Sequence, residues 1–255
     1  MPRYDFSSHR LHVDAPLAPG KHVDLTHGQA NYLTNVLRLG EAATVLVFNG
    51  RDGEWTARIA IMSRKAAAVV VETPTRPQPR AADLDYLFAP LKHARLDYMV
   101  QKAVEMGASR LVPVITRRTQ VGRLNRERMQ ANVIEAAEQC GILAVPEVLE
   151  ARPLERALAA WSPDRLAVFC DEDADVRDPV AALSAYGQGS GELGAAQPVA
   201  LIIGPEGGFD PDEREALLRL PRVARLSLGP RILRADTAAV AALALIQAVL
   251  GDGRA

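Results

Sequence analysis

Long apolar runs, paired cysteines, aromatic residues and net charge are all scarce in this sequence, and each scarcity removes a class of protein. The longest apolar stretch, Thr237 to Leu250, falls short of the ~20 residues that a membrane-spanning helix needs. The start MPRYDFSSHR has no apolar core of the kind a secretory signal carries, so an unexported, cytoplasmic protein is expected. Cys140 and Cys170 stand far apart, without CxxC spacing or a neighbouring histidine. Neither a disulfide framework nor a structural zinc site fits them, and a reducing compartment does. His9, His12, His22, His27 and His93 likewise show no metal-ligand spacing with cysteines or carboxylates, so no metal is expected. Aromatics make up 5% of the chain, too few for gripping a nucleic acid mainly by stacking, so any such contact must rest on charge and shape.

The net charge of -1 conceals a lopsided distribution. Residues 1 to 130 carry 19 Lys plus Arg against 12 Asp plus Glu, whereas residues 131 to 255 carry 11 against 19. Such asymmetry points to a basic face in the first half, although separate solvated surfaces would look the same by charge alone.

At 255 residues with 48% apolar content, the chain has material for two domains with sizeable cores. Between Thr44 and Val71 the short runs TVLVFN, WTARIAIM and AAVVV are punctuated by Asn49-Gly50 and Asp52-Gly53, dipeptides that favour tight hairpins. This predicts a small N-terminal β-barrel over residues 1–73. Three prolines between Thr73 and Arg80 suit neither a helix nor a central strand and predict a linker over 74–82. Over 83–255 the pattern alternates. Strands are predicted at Leu84 to Ala89, Leu111 to Ile115, Leu166 to Cys170, Val199 to Ile203 and Ala224 to Leu228, and helices at 94–106, 126–140, 211–220 and 235–250. Alternation of this kind gives an α/β domain with a mainly parallel sheet, whose ligands bind outside the carboxyl ends of the strands.

Two strand-to-helix loops stand out. Leu201-Ile202-Ile203-Gly204-Pro205-Glu206-Gly207-Gly208-Phe209 turns sharply on three glycines and a proline. Asp210, Pro211 and Glu213 then supply an N-cap, a first helical position and a capping-box partner. Leu226-Ser227-Leu228-Gly229-Pro230-Arg231-Ile232-Leu233-Arg234-Ala235-Asp236-Thr237 again leaves a strand through Gly-Pro, with two arginines before an alanine-rich helix. The alternative is plain structure: an ordinary glycine turn, and Asp236 or Thr237 serving only as a helix cap.

Together IIGPEGGF and LSLGPRILRADTA resemble the paired signatures of the bacterial ribosomal RNA uracil-N3 methyltransferase family of the SPOUT superfamily. The resemblance continues in NYLTNVLRLG, LDYMVQKAVEMGASRLVPVITRRTQV and AAEQCGILAVPEV, covering nearly the whole chain. It implies a PUA-like N-terminal barrel that helps hold RNA. It also implies a C-terminal SPOUT domain tied in a deep trefoil knot, S-adenosyl-L-methionine as cofactor, a homodimer, and small-subunit ribosomal RNA or the 30S particle as partner. The sequence departs from the family where Ala235 and Asp236 replace the Thr and Glu of an LRTETA pattern, and at Cys140 and Ile142, where Ser and Arg are common.

On this resemblance Ile203, Gly204, Pro205, Glu206, Gly207, Gly208, Leu226, Leu228, Gly229, Ile232 and Leu233 should contact the cofactor. Uracil N3 reacts once deprotonated, which places charge on the flanking carbonyl oxygens. Arg234 is the candidate for stabilising that charge, and Glu206, Asp236 or a water the candidate proton acceptor. Asn31, Arg38, Arg51, Lys92, Arg117, Arg118, Arg123 and Arg126 are candidate phosphate contacts. The competing readings are a SPOUT methyltransferase acting on transfer RNA or a ribose hydroxyl, and a non-catalytic RNA-binding assembly protein.

Overall fold

The computed structural model describes residues 8–63, 66–92, 94–120, 124–175, 178–187 and 197–251. The chain forms two compact units: Met1–Ala81 with Ile134–Val145, and Ala82–Val133 with Pro146–Ala255.

The first unit holds strands β1 (Arg10–His12), β2 (His22–Asp24), β3 (Thr44–Phe48), β4 (Glu54–Ser63) and β5 (Ala66–Arg76) in the sheet order β1-β3-β4-β5-β2. Alternating residues of these strands, among them Leu11, Val23, Val45, Val47, Ala57, Ile59, Val69 and Val71, share one core, as period-2 patterning requires. The β3–β4 connection is the expected tight turn. Asn49 accepts the N–H groups of Arg51 and Asp52 at 3.1 and 2.9 Å, and Gly50 and Gly53 both take φ of +80°.

The segment after β5 begins three residues later than the expected linker, because β5 runs through Thr73 and Pro74 to Arg76. Pro74 is tolerated there because β2 pairs only with Ala68 to Val70, and the β4 register shifts at Trp55, opposite Pro74. A proline without an N–H can occupy such an edge or bulge position.

Helix α1 (His27–Asn31) starts on a Thr26–Gln29 capping box and continues as a π-helical stretch, Tyr32–Val36. The segment 134–145 is tied to the sheet by polar anchors. Arg76 donates to both the Glu54 carboxylate and the Gly141 carbonyl, and Glu138 accepts the His12 N–H at 2.8 Å. Glu54 is only 2% exposed. Burial works against its charge, yet bonds from Arg76, Thr75 and Arg10 outweigh this and hold its carboxyl below the ordinary range.

In the second unit β6 (Leu84–Phe88), β7 (Arg110–Ile115), β8 (Glu147–Val148), β10 (Leu166–Cys170), β11 (Val199–Ile203) and β12 (Val223–Leu226) form a sheet ordered β12-β10-β11-β6-β7-β8; β9 (Arg152–Pro153) pairs with β7. Every described pairing is parallel. Helices α2 (Ala94–Glu105), α3 (Arg126–Cys140), α4 (Leu154–Ala159), α5 (Pro179–Gly187), α6 (Pro211–Leu218) and α7 (Ala235–Val249) alternate with the strands, α3 running on into the first unit. The five residues of β11 are all buried, the mark of a strand covered on both faces. Ala200 and Ile202 join Leu154, Ala157 and Leu217 on the α4–α6 side, while α7 packs on α2, α5 and β11.

Helix α2 buries Leu96, Met99, Val100, Ala103 and Val104 and ends in a Schellman motif: Ala108 N–H reaches the Ala103 carbonyl, Gly107 N–H the Val104 carbonyl, and Gly107 takes φ of +82°. The predicted strand Ala224 to Leu228 instead ends at Leu226, because β12 is an edge strand whose one partner, β10, stops opposite it at Cys170. Ser227 and Leu228 therefore belong to the loop.

Candidate active site

The carboxyl ends of β6, β7, β10, β11 and β12 converge on the edge where parallel sheets place their ligands. The two glycine-rich loops leave β11 and β12. These strands are consecutive in the chain but not in the sheet, where β10 lies between them. With ~4.8 Å between neighbouring strands, the loops start about 10 Å apart.

The first loop is a β-turn. Gly208 N–H donates to the Pro205 carbonyl at 2.9 Å, leaving Glu206 and Gly207 at the apex. Its glycines serve different ends. A Cβ at Gly204 would come within 2.7 Å of the Phe209 ring, so this glycine makes room for the aromatic side chain that packs edge-on against Phe169. Gly208 needs its left-handed φ of +70°. At Gly207 the φ is ordinary, and a Cβ would meet nothing nearer than Arg118 at 3.7 Å. The protein itself does not require glycine there, whereas a ligand lying against the backbone would.

Helix α6 then starts as expected: Asp210 is the N-cap, Pro211 follows, and Glu213 completes the capping box. In the second loop Gly229 takes φ of +101° with open space around it. Open cradles at Gly207, Gly208 and Gly229 fit an extended ligand such as S-adenosylmethionine approaching both loops through backbone groups.

The floor between the loops is the end of β10. Asp171 is 5% exposed and takes both nitrogens of an Arg214 fork at 3.0 Å, and Arg225 Nε at 2.9 Å. Burial disfavours its charge, but Arg214 and Arg225 prevail and hold the carboxyl below the usual carboxylate range. One aspartate thus fastens α6, which follows the first loop, to β12, which precedes the second. Sequence reasoning missed this trio; the available signal was an aspartate directly after a strand on the ligand edge. Burial pushes the adjacent Cys170 thiol up to about 12, away from the thiolate form.

The predicted catalytic residues fall on this edge in unequal states. Glu206 is ion-paired with Arg95, at the start of α2, a residue that sequence reasoning did not single out. Arg234, not Asp236, occupies the N-cap position of α7, and its side chain makes no capping bond. Asp236 lies in the first turn, where Oδ1 accepts the Thr237 N–H at 3.0 Å, so its proposed capping role reduces to this local bond. Of the predicted cofactor contacts, Ile203 and Leu226 are buried within strands, Leu228 and Leu233 are half-buried, and Ile232 is 86% exposed.

The predicted RNA contacts divide similarly. In the first unit Asn31 is exposed and bonded to Asn35, Arg38 is exposed in a left-handed backbone with φ of +56°, and Arg51 lies 4.0 Å from Asp14. In the second unit Lys92 is exposed. Arg117 is held by Asp210 and Asp212, Arg118 donates to the Gly207 carbonyl at 2.8 Å, and Arg126 reaches Val148 and Glu150. Arg123, like His93, lies outside the described residues. Among the described residues no group of three or more metal-ligating side chains occurs, and no helix is long and apolar enough to cross a membrane.

Comparison with known proteins agrees with this geometry. An RNA methyltransferase domain model matches residues 78–247, and an RNA methyltransferase PUA domain model matches residues 25–72. The chain belongs to the RNA methyltransferase family. Among its relatives is the ribosomal RNA small subunit methyltransferase E of Synechocystis sp., 32% identical over 89% of this chain and 73% of that protein. The enzyme of the same name from Rickettsia conorii is 29% identical over 93% and 94%. Among solved structures, a ribosomal RNA small subunit methyltransferase E from Neisseria gonorrhoeae bound to S-adenosyl methionine superposes with a TM-score of 0.81 at 26% identity, covering 96% of this chain and 99% of that one. A methyltransferase from Legionella pneumophila in complex with the same cofactor gives 0.77 at 28% identity, covering 94% and 97%. The α/β domain with its parallel sheet and the N-terminal PUA domain are thus those of this family.

Proposed function

We propose that the protein transfers a methyl group from S-adenosylmethionine to N3 of a specific uridine in small-subunit (16S) ribosomal RNA, on the assembled 30S particle, and that it acts as a cytoplasmic homodimer. The observation that carries this reading is the pair of open glycine cradles flanking β10, in a chain that belongs to the RNA methyltransferase family. The trefoil knot of the SPOUT superfamily is part of the same proposal.

When bound, S-adenosylmethionine supplies an electrophilic methyl group. The protein's share is to align the base with it and to manage one proton. Among the described residues Arg234 has no side-chain partner, so its guanidinium is available to the uracil carbonyl oxygens as N3 loses its proton. The N-terminus of α7 adds positive potential at the same place. Glu206 is committed to Arg95, so Asp236, two residues beyond Arg234, is the better proton acceptor.

Purified protein incubated with S-adenosylmethionine and 30S particles from cells lacking the gene should restore one N3-methyluridine, read by mass spectrometry of nuclease digests. Modification found only in transfer RNA, or at a ribose hydroxyl, would replace this reading.

A further inference from the structure

Two β-turns meet at the head of α6. The first is the Pro205–Gly208 turn with Glu206 and Gly207 at its apex. The second, Thr116–Thr119, follows β7 and is closed by the Thr119 N–H, which donates to the Thr116 carbonyl at 3.1 Å, and by the Thr116 N–H, which donates to the Thr119 hydroxyl oxygen at 2.9 Å. Thr116 is buried, which roots this turn and sets Arg117 and Arg118 at its two central positions. From there the Arg117 N–H donates to Glu213 Oε1 at 2.8 Å, and the Arg117 side chain reaches Asp210 and Asp212. The capping box of α6 is thus the anchor on which the second turn sits.

Arg118 bears on the apex itself. The peptide joining Gly207 to Gly208 is planar, so its carbonyl and N–H point to opposite sides. The N–H is fixed on the Pro205 carbonyl and the Gly207 carbonyl on Arg118 Nη1 at 2.8 Å, so the plane is held from both sides. Without the second hold, a peptide between two glycines turns over readily. Arg95, at the start of α2, holds the neighbouring Glu206 carboxylate. Among the described residues nothing accepts the N–H of Glu206 or Gly207, so the held apex presents two backbone donors.

We infer that Arg118, assisted by Arg95, is a positioning residue that holds the Glu206–Gly207 apex in its cofactor-receiving shape, and not a phosphate contact to RNA. This rests on the proposed cofactor site. A preorganised apex spares the cofactor the cost of ordering it, so the consequence falls on cofactor affinity.

The test pairs calorimetry with S-adenosylmethionine and a salt series with 30S particles. Arg118→Ala should weaken cofactor binding by about tenfold and raise the cofactor KM, with kcat at saturation near wild type and partial recovery in Arg118→Lys. Particle affinity and its salt dependence should not move, whereas loss of a phosphate contact lowers the log–log slope by about 0.7 to 0.9. Wild-type cofactor affinity in Arg118→Ala, or a slope reduced by one contact, overturns the inference. If that variant does not fold, Arg95→Gln, which touches only the Glu206 side chain, decides by the same measurements. Failure of the underlying reading looks different: the wild-type protein itself would not bind S-adenosylmethionine.

Discussion

The two glycine loops of the α/β unit share a strand edge and a Gly-Pro vocabulary, yet the protein treats them oppositely. The first is held by its own chain: an internal turn bond, a capping box, and three arginines, one at the start of α2 and two in the turn after β7. The second carries Arg231 and Arg234 with no side-chain partner among the described residues, and Ile232 at 86% exposure. The first turn is held in place before any ligand arrives, whereas the second loop keeps a large aliphatic side chain in water. On the proposed function, the difference separates a preformed seat for the cofactor from a segment completed by what binds to it.

The sharpest way to break this comparison is Gly207→Val. A Cβ there meets only Arg118 at 3.7 Å, so the fold should survive while the branched side chain occupies the ligand's approach and abolishes measurable S-adenosylmethionine binding. Calorimetry showing wild-type affinity would place the cofactor elsewhere.

Next in size, Arg234→Ala should lower the single-turnover methylation rate by about 10²-fold or more with cofactor affinity nearly unchanged, the usual cost of removing one charge-stabilising donor from a transition state. A wild-type rate, or a loss explained by cofactor affinity alone, would remove Arg234 from uracil activation and make the second loop a second seat.

Asp171→Asn tests what the loops have in common, since Asp171 joins α6 to β12. Its arginine partners are about one-third exposed, which moderates the cost. A loss of about 2 kcal/mol in urea denaturation at neutral pH is expected. The sign with pH follows from the lowered carboxyl pKa. The stabilisation is complete above the unfolded value of about 3.9 and fades as pH falls through the depressed folded value, so wild type and variant should converge in strong acid. Curves that stay parallel into acid would show that this charge contributes no stability.

The smallest effect is expected from Ile232→Ser. If the exposed isoleucine is covered by the cofactor, affinity should fall by about tenfold, the scale of a partly buried aliphatic side chain. If affinity holds while sedimentation shows a homodimer weakening, the partner subunit covers it instead.

Much of this was legible in the sequence because it is local. Period-2 and helical patterning placed the main strands and helices, Asp210-Pro211 with Glu213 wrote the start of α6, and Gly107 marked the end of α2. Edges were misjudged where pairing decides: β12 stops when β10 runs out, and β5 keeps Pro74 because β2 does not reach it and the β4 register shifts opposite it. The paired loops were readable as glycine-rich turns at the carboxyl ends of strands, with plain structural turns as the alternative. What tertiary structure decided was the use of each charge. Arg117 and Arg118 are candidate phosphate contacts in a chain read one residue at a time, and folding gives them partners in a capping box and a turn about ninety positions away. Asp171, silent in the sequence, becomes the tie between two loops for the same reason. A residue's propensity and pattern are fixed by its neighbours in the chain, whereas a charge is committed only when distant segments fix which opposite group lies within hydrogen-bond reach.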